Sequence, residues 1–185
     1  MTIVPDTKDW TWVLERPCPE CGFDTRTVTR GSLPGMLRGT AGRWQEVIAA
    51  HGEDVRERAR ADRWSRLEYA CHVRDVFVRF RQRLELMLST EGPTFPNWDQ
   101  DATAVEERYN DQDPAVVSAQ LGSAAEALAA RFARVGPDEW GRRGLRSDGA
   151  AFTVETLGRY LMHDPVHHLW DVGPPGPGDA PPSRD

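Results

Sequence analysis

The chain predicts an all-α fold, a four-helix bundle. Four segments combine helix caps with apolar residues at steps of three and four, and no segment sustains period-two alternation of β-branched residues. A length of 185 residues suits one core and is short for two.

Residues 1–32 form an N-terminal extension outside the predicted bundle. Its most informative stretch is Glu15 to Thr25, ERPCPECGFDT. The Cys18-x2-Cys21 pair there is compatible with half of a zinc knuckle, a dithiol redox pair or an unligated turn. The remaining cysteine, Cys71, sits beside His72 but about 100° round its helix.

The bundle is expected over residues 33–172. Its first helix runs from about Leu33 to Ala50, with Ser32 and Pro34 at its start, and Leu37, Trp44, Val47 and Ile48 as core candidates. The second opens with the capping box Ser65-Arg66-Leu67-Glu68, in which hydroxyl and carboxylate each take a free backbone N–H. From there Tyr69, Val73, Val76, Phe80, Leu84 and Met87 draw one apolar stripe to near Ser89. Glu91 to Pro114 is proline-containing and acidic, which predicts a loop with one short helical turn. The stretch Asn97, Trp98, Asp99 and Asp101 reads either as a surface connector or as a lid on one mouth of the bundle.

Asp113 and Pro114 restart the chain as N-cap and first helical residue of an alanine-rich third helix reaching Val135. Gly136 to Ala151 contains the turn signal Ser147-Asp148-Gly149 and predicts a connector with a small hairpin. The fourth helix, capped near Thr153, extends to about Val172. Residues 173–185 are so rich in Pro and Gly that a disordered tail is expected.

The composition narrows the partners. There are 29 acidic against 23 basic side chains, a formal charge of -6, which leaves no general footprint for nucleic acid or an anionic membrane surface. Arg56, Arg58, Arg60 and Arg63 alternate with acidic residues, as on a solvated face. The N-terminus lacks a basic region followed by an apolar one, and no apolar run approaches bilayer length. A cytoplasmic chain with reduced thiols is the expectation.

Histidines carry the functional signal. Three of the five lie in Tyr160 to Val172, YLMHDPVHHLWDV, a segment that otherwise reads as a buried helix. Buried imidazoles cost free energy unless bonded or ligated. His163 and His167, at i and i+4, project from one face, a spacing that lets two rings grip one ion. His72, at the edge of the second helix's stripe, offers a third ligand. Asp75, three residues on, is the candidate catalytic residue: its carboxylate would take the second imidazole N–H of His72 and fix the tautomer. Three neutral imidazoles with an open position suit a catalytic Zn²⁺ or a similar divalent ion such as Ni²⁺. Pro165 removes one N–H between the two ligands on the fourth helix, and a kink there would bring in His168 in place of a triad member.

With "WSRLEYACHVRDV", "NWDQD" and "RYLMHDPVHHLWDV" in this order, the chain resembles the DinB-like (YfiT-like) superfamily of metal-binding four-helix bundles. That superfamily includes bacillithiol and mycothiol S-transferases and the N-terminal domain of mycothiol-dependent maleylpyruvate isomerase. The resemblance covers about residues 33 to 172 and matches its His…HxxxH pattern to His72, His163 and His167. It implies an up-down-down-up bundle, a divalent metal at that triad, commonly zinc, and a small-molecule thiol and an electrophile as partners, with the metal favouring the thiolate. A non-catalytic, stress-related metal-binding or dimerisation module and a metal-dependent hydrolase are the alternatives, and association into a homodimer stays open. The Cys-x2-Cys extension lies outside the family's core pattern.

Overall fold

The structure is a computed structural model that describes residue 3 and residues 8–173. The tail expected from residue 173 lies, from 174 onward, outside the described residues. Five α-helices follow an N-terminal segment containing two short 3-10 turns, Thr11–Leu14 and Thr25–Thr27: α1 Leu33–His51, α2 Arg66–Ser89, α3 Gln100–Glu106, α4 Pro114–Phe132 and α5 Val154–Asp171. Three short strands, β1 Thr94–Phe95, β2 Arg143–Arg146 and β3 Ala151–Thr153, and two further 3-10 turns, Gly52–Arg56 and Tyr109–Asp111, complete the described elements. Among these helices none is long and apolar enough to cross a membrane.

The bundle consists of α1, α2, α4 and α5. Both α1 and α2 pack extensively against α4 and also against α5, and touch one another less. The first two long helices are therefore diagonal neighbours, joined through the later pair. Trp44, Phe77, Leu84, Leu121, Leu128, Phe132, Leu157 and Leu161 are among the side chains buried between them. At roughly 25 cal/mol per Å² of apolar surface removed from water, this shared core is the main source of stability.

The predicted stripe of α2 is the buried one: Tyr69, Val73, Val76, Phe80, Leu84 and Met87 all face inward. Its capping box forms as expected. Glu68 N–H donates to Ser65 Oγ at 3.1 Å, and Ser65 N–H donates to Glu68 Oε2 at 2.7 Å. Arg58 clamps the same carboxylate. Asp113 caps α4 by accepting from Ala115 and Val116, and Thr153 caps α5 by accepting from Thr156. The start of α1 differs: Ser32 occupies the cap position, but its hydroxyl bonds Thr29 in the preceding turn and caps nothing. Gly158 lets α5 approach the start of α1, since a Cβ there would come within 2.6 Å of Leu33.

The connector after α4 does form a hairpin, with Gly144 opposite Phe152. What the sequence did not announce is β1, which pairs in parallel with β2 so that the sheet order is β1-β2-β3. Two residues with buried Phe95 carry too little pattern to stand out from a loop. Together with Asn97 N–H donating to Ser147 Oγ at 2.8 Å, this small sheet holds the acidic loop in place next to the bundle. Where one short helical turn was expected in that loop, it holds two helical pieces, the seven-residue α3 and a 3-10 turn at Tyr109–Asp111.

Candidate metal centre

Helix α5 presents four ligand-type side chains in six residues, and they face two ways. His163 and His167, one turn apart, lie with Cys18 and Cys21 of the N-terminal segment; Asp164 and His168, each one residue further on, lie with His72 of α2. Within each group the ligand atoms all fall inside 4.8 Å of one another. The expected triad of His72, His163 and His167 is thus divided: the structure brings His163 and His167 together and places His72 in the neighbouring cluster. The reason is helical phase. A step of one residue is a turn of about 100°, enough to move a side chain from the face touching α2 to the face touching the N-terminal segment.

In the cluster facing α2, His72 Nε2 is 3.3 Å from both carboxylate oxygens of Asp164. His168 Nε2 is 3.9 Å from Asp164 Oδ2. On its other side His168 Nδ1 lies 2.8 Å from Asp171 Oδ2, which orients the ring and turns Nε2 toward Asp164. Burial would raise the Asp164 carboxyl, but the imidazoles of His72 and His168 overcome it and hold that group below the ordinary carboxylate range. Asp164 Oδ1 and His72 Nδ1 are buried without a hydrogen-bond partner among the described residues. Two imidazoles and a carboxylate with an unsatisfied oxygen fit a first-row divalent ion, whose nitrogen and oxygen ligands at ~2.0–2.1 Å stand about 3.4 Å apart in a tetrahedron.

Aromatic rings wall this cluster. Trp98 stacks on His72 with centroids 5.1 Å apart and planes 9° from parallel, and Trp64 approaches the same ring at 5.1 Å. Tyr69 covers His168 at 4.9 Å. Trp98 comes from the acidic loop, held by its indole N–H donating to Thr103 Oγ1 at 2.7 Å, with Arg79 above its face. Trp98 is thus the side chain by which that loop touches the cluster, while its neighbours Asn97 and Asp99 are exposed.

Asp75, expected to orient His72, does not do so. Its carboxylate accepts from Arg74 Nε at 2.8 Å and from the Tyr109 hydroxyl. The residue that orients an imidazole of the cluster in this way is Asp171, a role that the sequence alone did not suggest. Asp164 was missed as well, although Asp164-x3-His168 repeats the His163-x3-His167 spacing one residue later.

In the other cluster, Cys18 Sγ stands 3.7 Å from His167 Nδ1 and Cys21 Sγ 3.8 Å from His163 Nε2. Burial and the neighbouring His167 pull the His163 imidazole down to about 4, so it is neutral near pH 7, and burial pushes the Cys21 thiol up to about 11. Cys71 takes no part: its thiol faces Tyr109 O and Gln112 Oε1 at 3.7 Å.

A four-helix bundle with histidine and carboxylate ligands gathered between α2 and α5 defines the chain as a metal-site bundle of the type in which facing helices supply the ligands. The model of the DinB superfamily matches residues 36–172, and the chain belongs to that superfamily. It is similar in fold to a solved structure of YfiT from Bacillus subtilis, described as a probable metal-dependent hydrolase with an unusual four-helix bundle topology. That match has a TM-score of 0.70 at 17% identity and covers 78% of this chain and 87% of the other. No curated protein matches the chain significantly in sequence.

Proposed function

We propose that the protein is a metal-dependent enzyme that transfers a small-molecule thiol to an electrophilic carbon, with a divalent cation, Zn²⁺ before Ni²⁺, held by His72, Asp164 and His168. The observation that carries this reading is the Asp164 carboxylate set between two imidazoles, with Oδ1 3.3 Å from His72 Nε2 yet without a hydrogen-bond partner among the described residues, Oδ2 3.9 Å from His168 Nε2, and His168 oriented by Asp171. When bound, the cation supplies Lewis acidity that favours a thiolate, the reactive form, at neutral pH.

The chain's own residues set the conditions for that chemistry. Three ligands leave room for an exogenous group, as in catalytic rather than structural sites. Trp64 and Trp98 cover His72, whose side chain is fully buried, and Tyr69 covers His168, so the imidazole side of the site is shielded from water and electrostatic interactions there are strengthened. A small cleft lined by Arg79, Arg83, Phe95 and Asn97 carries positive charge, and its Arg79 also lies over the face of Trp98. That charge suits a thiol or electrophile carrying carboxylates.

Hydrolysis is the second reading. It is favoured by the carboxylate among the ligands, a donor set shared with zinc hydrolases, and by the description of YfiT. Assay of zinc-loaded protein against a panel of electrophiles, with and without low-molecular-weight thiols, separates the two. Thiol consumption that stops on chelation supports transfer, metal-dependent turnover without thiol supports hydrolysis, and bound metal with neither activity leaves a binding module.

A further inference from the structure

The cluster of Cys18, Cys21, His163 and His167 is not needed for the proposed reaction. It joins two segments more than 140 residues apart in sequence, 149 for Cys18 and His167 and 142 for Cys21 and His163. We propose that these four residues form a second, closed Zn²⁺ site that clips the N-terminal segment onto helix α5 and serves the fold rather than the reaction.

Three independent features converge on it. The first is distance. Sulfur and nitrogen ligands at ~2.3 and ~2.0–2.1 Å from a tetrahedral zinc stand about 3.6 Å apart, and the two cross-segment pairs measure 3.7 and 3.8 Å. The second is the cysteine turn. Gly22 N–H donates to Cys18 O at 2.9 Å, and Cys18 N–H to Phe23 O at 2.9 Å. Gly22 adopts φ +73°, a left-handed position that glycine takes without strain. This tight turn holds both thiols on one side, as a knuckle requires. The third is the surroundings of the imidazoles. With Nδ1 toward Cys18, His167 turns Nε2 to Glu20 at 3.5 Å and Asp171 at 3.9 Å, the arrangement in which carboxylates orient a ligating ring. Trp10 covers both imidazoles, with centroids 5.1 Å from His163 and 5.0 Å from His167.

Cys18, His163 and His167 are all nearly excluded from solvent, and the three cysteines are unbridged. Two thiolates and two neutral imidazoles would neutralise a divalent ion completely, so the site is compatible with burial, and binding would release two thiol protons. Four protein ligands leave no position for substrate. That assigns the site to structure, in contrast to its three-ligand neighbour.

The test uses the full-length protein and Co²⁺ or Zn²⁺ alone as probe. In the His72→Ala/Asp164→Ala/His168→Ala variant, one equivalent of zinc should remain, and Co²⁺ substitution should give thiolate-to-cobalt charge-transfer absorption with intense tetrahedral bands. Cys18→Ala/Cys21→Ala should abolish that absorption and lose one equivalent. If this variant fails to fold, Cys21→His keeps the test open: it should hold one equivalent with the charge-transfer intensity roughly halved. Absence of charge transfer in protein with intact cysteines, or isolation of the chain with a Cys18–Cys21 disulfide and no zinc at these residues, overturns the proposal. Loss of thiol transfer alone does not touch it, so the two sites fail separately.

Discussion

The two faces of α5 use the same spacing for different ends. His163 and His167 on one face, and Asp164 and His168 on the other, are both i, i+4 pairs that share six residues of one helix. What differs is the element packed opposite. A rigid cysteine turn supplies two more ligands and closes the first cluster, whereas α2 supplies one, His72, and an aromatic wall that includes a side chain from a loop. Coordination number, and with it the division between structure and chemistry, is decided by the neighbour and not by the motif. The two clusters also share Asp171, whose Oδ2 lies 2.8 Å from His168 Nδ1 and 3.9 Å from His167 Nε2.

The comparison can be broken in order of expected effect. Stripping zinc from the cysteine side should cost the most stability: about 4 kcal/mol where free zinc stands a thousandfold above its Kd. Thermal melts with a strong chelator would register this, and unchanged melting would remove the structural role. His72→Ala should lower activity by at least about 100-fold, beyond the ~10–100-fold typical of residues behind the ligands. The same change should leave the thiolate spectrum of the other cluster intact, which kinetics and Co²⁺ absorption check together.

Asp171→Asn sharpens the comparison because it touches both rings. A drop of about 10-fold or more in metal affinity at the His168 cluster, and a smaller one at the His167 cluster, is expected from the two distances. Competition titrations with a metal indicator measure both. Trp98→Ala removes a ring stacked on His72 and should cost about 0.5–1.5 kcal/mol beyond its lost burial. Denaturant melts and the KM of the thiol would report it. His51→Ala, at a ring that bonds Val47 O at the end of α1, should leave metal content unchanged.

Much of the fold was legible because its determinants are local. The capping box of Ser65 and Glu68, the Asp113 cap and the Tyr69-to-Met87 stripe are short-range signals that the tertiary structure reinforces. The parallel pairing of β1 was not legible, because two residues at the end of a loop acquire strand character only when β2 arrives beside them. At the site, the residue types were legible and their grouping was not. His72, His163 and His167 stood out as ligands from their burial and spacing. Asp164 stayed hidden behind the stronger HxxxH signal, and Asp75, at a plausible spacing from His72, is drawn away by Arg74 and Tyr109.

By itself the sequence determined that the chain forms capped, amphipathic helices and that it places side chains able to ligate a metal on the second and last of the long ones. Only the tertiary structure decided which ligands meet. A helix fixes the angle between neighbouring side chains, but the identity of the surface facing each angle depends on the packing of segments as much as 149 residues away in sequence. That packing is set by burial of the whole core and by no single motif.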